Sequence, residues 1–77
     1  MTQSEEIKLI VSTLFDKYGQ VALDTKRTAS VIGKSEISLK VDRKDGVGIS
    51  YSRAGRFIRY SLTDIARYLI EHRVRVA

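Results

Sequence analysis

Residues 25–43 read TKRTASVIGKSEISLKVDR, and the fold turns on how this stretch is parsed. Asp24 and Thr25 just ahead of the helical run are both good helix N-caps, because a short side-chain oxygen can take a first-turn amide. A brief helix over 26–32 follows, with Ala29 and Ile32 inward, and Gly33 ends it. Two residues later Ser35 can cap a further helix. Its apolar positions are Ile37 and Leu39, with Val41 a candidate third, and Lys40, Arg43 and Lys44 are exposed. Two short helices crossing at a steep angle leave no room for a large side chain at the crossing, which suits Ala29. The tight turn between them favours left-handed backbone, which Gly33 adopts without steric cost. Ile32 and Leu39 then share an apolar contact. An ordinary helical hairpin carries the same marks, so the flanks of the stretch decide between the two.

On the N-terminal side, Ile7, Ile10, Val11, Leu14, Phe15 and Tyr18 recur at i, i+3, i+4, i+7, i+8 and i+11, a single apolar face at helical period. Thr2 or Ser4 can cap this helix of about four turns, acids fill its first turn, and Gly19 is a natural stop. Val21 and Leu23 form a short extended lead-in to Asp24. On the C-terminal side Gly46 and Gly48 break the second helix of the stretch, and from Ile49 the period changes to two. Ile49 and Tyr51 point one way and face Ile58 and Tyr60 across a hairpin whose turn is Arg53-Ala54-Gly55-Arg56. Ser61 and Asp64 are spaced as a capping box. Behind them Leu62, Ile65, Ala66, Leu69 and Ile70 repeat the stripe of an amphipathic helix. All four hairpin positions are expected to join one core with Ala29, Leu39, Ile65 and Leu69.

The expected fold is therefore mainly α with a small β-hairpin wing: a winged helix-turn-helix with an additional N-terminal helix. One domain covers 1–77, with the N-terminal helix in 1–19, the helix-turn-helix in 24–44, the wing in 49–60 and the last helix in 62–73. Seventy-seven residues suffice for one domain and not two, and a domain of this size buries only roughly 60% of its surface. The N-terminal helix can serve as plain core cover, or its surplus apolar surface can make a dimer or meet a partner protein.

Charge gives the pattern a partner. Fourteen Lys and Arg against nine Asp and Glu leave a net +5, and the imbalance is uneven. Residues 1–25 carry two bases and four acids, whereas 26–77 carry twelve bases and five acids. Basicity gathered in one part of a small domain is the footprint of a polyanion. In a helix-turn-helix the second helix lies in the major groove of duplex DNA with its N-terminal residues nearest the base edges. Here those are Lys34, Ser35, Glu36, Ser38 and Lys40, with Arg43 further along for phosphate. Ser reads either partner, Glu accepts from cytosine N4, and Lys reaches guanine or phosphate. Thr25, Lys26 and Arg27 open the first helix of the motif and are candidate backbone contacts. Arg53, Arg56 and Arg59 decorate the ribbon, where arginine can follow the backbone or enter a narrow minor groove; the plain alternative is an edge strand protected by charge.

Several classes are excluded or disfavoured. There is no cysteine and one histidine, so no disulfide, thiolate metal site or histidine zinc cluster can form, and no cofactor is expected. No nucleophile, base and acid set can be assembled from His72 and scattered carboxylates, so the chain is not expected to be an enzyme. Gly46-Val47-Gly48 lacks the lysine-threonine pair of a phosphate loop. Tyr18, Tyr51, Tyr60 and Tyr68 read as core and core-edge aromatics, and His72 as a complement to a helix dipole. No apolar run approaches the ~20 residues that cross a bilayer and no signal-peptide core opens the chain, so a cytoplasmic, nucleoid-associated protein is expected. The rival to DNA binding is a protein-interaction adaptor or anti-repressor that uses the same fold without DNA.

The run Ala29-Ser30-Val31-Ile32-Gly33-Lys34-Ser35, followed by Gly55-Arg56-Phe57-Ile58-Arg59-Tyr60-Ser61-Leu62-Thr63-Asp64-Ile65, resembles the excisionase-like and AlpA-like branch of the MerR superfamily. That branch has Ala and Leu-Gly in the first helix, a Ser opening the recognition helix, a Gly-Arg-x-x-Arg-Tyr wing strand and an Asp starting the last helix. The likeness covers residues 23–73. It implies binding of double-stranded DNA in mobile-element regulation, as a recombination directionality factor or a small transcriptional regulator. Integrase or RNA polymerase are the partners it implies, with self-association through the N-terminal helix or side by side on DNA. Where the family often carries an aromatic or basic residue after the recognition-helix valine, this chain has Lys40-Val41-Asp42, and Asp42 is expected to turn away from phosphate.

Overall fold

The computed structural model describes residues 2–72. Its first helix, α1 (Gln3–Tyr18), starts where the Thr2 hydroxyl accepts from the Glu5 amide at 3.2 Å. Glu5 and Glu6 in its first turn and Lys17 in its last complement the helix dipole. It ends at Gly19, whose amide donates to the Phe15 carbonyl at 2.7 Å. A two-residue strand, β1 (Ala22–Leu23), leads into α2 (Thr25–Ile32) and then α3 (Glu36–Asp45). Asp24 caps α2 and Ser35 caps α3, as their short oxygen-bearing side chains dictate. Between these helices Gly33 takes the left-handed conformation, φ +74°, and its amide closes on Ala29.

A hairpin of β2 (Ser52–Ala54) and β3 (Phe57–Ser61) precedes α4 (Leu62–Glu71). The expected end of this last helix at residue 73 lies outside the described residues. Ser61 caps α4 by accepting from the Asp64 amide at 3.0 Å, one half of a capping box. Mainly helical, the fold also holds a small antiparallel sheet of three strands in the order β1-β3-β2. The third strand is new relative to the sequence reading. Residues 22 and 23 pair with Ser61 and Tyr60, so what looked like a connector is the far edge of the sheet.

The hairpin differs from expectation in two further ways. Strand pairing runs through Ala54↔Phe57, so the turn is the two residues Gly55 and Arg56. Gly55 alone of this pair has positive φ, +62°, the signature of a II′ connection, whose twist matches that of the flanking strands. The ladder also starts at Ser52, later than expected. Ile49 is buried from a loop, while Tyr51 stays largely outside the core, its ring 6.1 Å from that of Tyr60 and tilted by 52°.

The core gathers Leu14, Leu23, Ala29, Leu39, Ile49, Tyr60, Leu62 and Ile65, with Ile10, Val11, Tyr18, Ile32, Ile58 and Leu69 packed around it. Leu23 and Ile65 are fully enclosed, each burial stabilising by roughly 1.5–3 kcal/mol relative to exposure. The apolar face of α1 lies chiefly on α4, the most extensive contact between any two helices, so the N-terminal helix does cover the core. On α3 the sequence reading needs correction: Leu39 is buried, but Ile37 is 75% exposed and Val41 48% exposed. Arg43, expected on the surface, is half-buried.

Candidate nucleic-acid interface

α3 offers the most clearly divided surface. Residues 36, 37, 40, 41, 44 and 45 are exposed, while Leu39 is buried and Ser38, Asp42 and Arg43 are partly so. The first set falls at i, i+1, i+4, i+5, i+8 and i+9, one continuous stripe of an α-helix. Glu36, Ile37, Lys40, Val41 and Lys44 thus share the outward face, with Asp45 at its C-terminal edge. Ser35, at the head of the helix, uses its hydroxyl oxygen to accept the Ser38 amide at 3.0 Å, which leaves its own proton available to an external acceptor.

The cations expected to contact DNA divide into committed and uncommitted ones. Arg27 folds back on the cap of its own helix, Nη1 donating to Asp24 Oδ2 at 2.9 Å. Lys34 donates to Asp42 Oδ2 at 3.0 Å and lies over the Tyr68 ring at 5.7 Å. The bond to Asp42, with Tyr68 adding to it, holds the Lys34 ammonium above its ordinary range, against the opposing effect of partial burial. Asp42 is therefore turned into the molecule by its own partner, away from the exposed stripe.

Arg43 is committed most deeply. Its Nη1 donates to the Tyr60 hydroxyl at 2.6 Å and to Thr25 Oγ1 at 3.3 Å, and its guanidinium stands 5.9 Å from the centre of the Tyr51 ring. It ties the end of α3 to the start of α2 and to β3. Thr25 is an acceptor in the same knot. Both residues were read as phosphate contacts; within the fold Arg43 Nη1 is engaged with neutral oxygens, the Thr25 oxygen among them, while Arg43 pairs with no acid among the described residues.

Uncommitted positive charge lies elsewhere. Lys26, Lys40 and Lys44 are exposed and pair with no acid among the described residues. The same holds for Arg53, Arg56 and Arg59. Arg59 donates to the Ile58 carbonyl at 3.0 Å and lies 5.8 Å from the Phe57 ring centre, contacts that leave its charge uncompensated. The three arginines do not line one side of the ribbon. Arg53 stands opposite Ile58 and Arg59 opposite Ser52; cross-strand partners share a face and neighbours alternate, so Arg53 and Arg59 are on opposite faces with Arg56 at the turn. The result is a hairpin end that is cationic all round.

Three exposed residues escaped the sequence reading of the site: Ile37, Val41 and Lys44. The spacing that unites them with Glu36 and Lys40 was present, but apolar side chains on a helix were counted toward the core, and that hid the stripe. Among the described residues no group of three or more His, Cys, Asp or Glu is placed to hold a metal ion, and no helix is long and apolar enough to cross a membrane. No protein-family model matches the chain, and no curated protein matches it either.

Proposed function

We propose that this chain is a winged helix-turn-helix protein that binds double-stranded DNA, with α2 and α3 as the helix pair, α3 as the recognition helix and the β2–β3 hairpin as the wing. The observation that carries this reading is the unpaired basic set: Lys26, Lys40 and Lys44 on the two helices and Arg53, Arg56 and Arg59 on the hairpin, against the two exposed acids of α3, Glu36 at its head and Asp45 at its end. α3 has ten residues, and an α-helix with its side chains is about 10–12 Å across, a width that a major groove of about 12 Å admits. The sequence likeness to excisionase-like and AlpA-like regulators supports the narrower reading: a cytoplasmic, nucleoid-associated factor of a mobile element. It would direct excision beside an integrase or act at a promoter beside RNA polymerase. No catalytic role is part of the proposal.

Fluorescence anisotropy with a labelled duplex at several salt concentrations tests it. Counterion release lowers log K by about 0.9 per phosphate contact per decade of salt, so a slope of about −4 to −5 per protomer is expected. Arg53→Ala with Arg56→Ala weakens specific and random duplexes alike and flattens the slope by about one unit per lost contact. Glu36→Ala or Lys40→Ala instead changes the preferred sequence, on a scale of about 1–3 kcal/mol per base contact. Circular dichroism on each variant excludes loss of fold. Duplex binding that is absent at low salt, or indifferent to salt, sinks the reading in favour of a protein adaptor.

A further inference from the structure

Ile37 and Val41 stand in the open on α3, 75% and 48% exposed. Both are β-branched, which costs helix propensity, and neither returns that cost by joining the core cluster. Their side chains are stiff, with one strongly preferred χ1 rotamer in a helix, so holding them against a partner costs little further entropy. They lie one turn apart on one stripe. Lys40 and Lys44 stand beside them without acidic partners. The exposed side of α3 also carries Glu36 at its head and Asp45 at its end, but neither pairs with Lys40 or Lys44, and the hairpin adds three more unpaired cations, Arg53, Arg56 and Arg59. A polyanion would neutralise them while something apolar met the two branched side chains.

We propose, resting on the DNA-binding reading above, that Ile37 and Val41 read the 5-methyl groups of two thymines in the major groove. The thymine methyl is the one apolar group that a base edge presents there, and aliphatic side chains are its natural contact. Residues four apart on a helix are about 6 Å apart along its axis, close to two base steps of about 3.4 Å. The two thymines are thus about two positions apart, in line along the groove. Lys40 and Lys44 on the same stripe reach the phosphates or guanine edges beside them.

The test begins by selecting the preferred duplex from a random pool with the full chain, then replacing its thymines one at a time by uracil, which lacks only the methyl. Loss of one buried methyl contact amounts to about fourfold in affinity. Two positions are expected to show it. In Ile37→Ala the uracil penalty disappears at one of these positions, and in Val41→Ala at the other, with the salt slope unchanged in both. Ile37→Val keeps the discrimination. Salt-dependent binding that ignores every thymine-to-uracil change overturns the methyl reading and leaves the DNA-binding reading standing. Absence of any duplex binding overturns both. If Ile37→Ala instead converts a dimer to a monomer in sedimentation and leaves the uracil penalties untouched, the stripe is a contact between copies and the inference fails.

Discussion

Two groups engage the Lys34 ammonium, the Asp42 carboxylate at 3.0 Å and the Tyr68 ring at 5.7 Å. Together they raise its proton affinity in the folded chain. A lysine whose folded value is raised stabilises fully below the ordinary lysine pKa of about 10.4 and loses that contribution as pH climbs through the folded value. With its side chain 35% exposed, solvent screens the pair, and about 0.2–1 kcal/mol is the appropriate scale. Lys34→Met is expected to unfold at lower urea than the parent between pH 7 and 9, with the difference closing in strongly alkaline solution. A gap that persists there unchanged means that the stem of the side chain, and not the ion pair, does the stabilising. The sequence exposed Lys34 as a cation at a helix-turn-helix junction and anticipated that Asp42 turns away from the stripe. That each satisfies the other could not be read, because the pairing depends on how α2 and α3 cross.

At the scale of elements, helix boundaries were legible, while strand boundaries and inter-element commitments were not. Thr2, Asp24, Ser35 and Ser61 cap helices where short oxygen-bearing side chains precede apolar periodicity, and glycines end the first three helices. β1 was illegible as a strand, since two residues carry no measurable period and their partners lie far along the chain. Arg43 was misread for a related reason: a basic residue near a helix end is normally solvated, and its burial comes from Tyr60 and Thr25 on other elements. Its hydrogen bonds to neutral oxygens are charge-assisted, and such bonds contribute about 1.5–3 kcal/mol each at most. Arg43→Ala is therefore expected to lower stability by about 1–3 kcal/mol in urea unfolding, and Tyr60→Phe by part of that, with the double variant less destabilised than the sum. The salt slope of duplex binding stays unchanged. Unaltered stability with a flattened slope would return Arg43 to the phosphate contacts.

Across the whole molecule, 38 × 30 × 17 Å in extent, the helix pair and the hairpin belong to a single excursion of the chain. Ala22 meets Ser61, Leu23 meets Tyr60, and the Leu62 amide donates to the Val21 carbonyl at 3.0 Å. Those partners are roughly forty positions apart in sequence, and closing such a loop costs roughly 3 kcal/mol of chain entropy beyond a constant. The neck of the excursion is therefore one non-local step of folding, the docking of α1 on α4 being another, while α2, α3 and the hairpin turn rest on neighbours in sequence. In hydrogen-exchange terms, the Leu62 amide at the neck is expected to report global unfolding, and the amides around Gly55 to exchange through local openings of much lower free energy. Equal protection at both places would mean that the hairpin end is held as firmly as its root. The kinetic consequence is a gatekeeper role for a very short pairing: β1 on β3 closes the excursion inside which the helix pair and the hairpin pack on one another. A lesion at Ala22 or Leu23, remote from every exposed cation, would slow the assembly of the whole basic surface without touching any part of it.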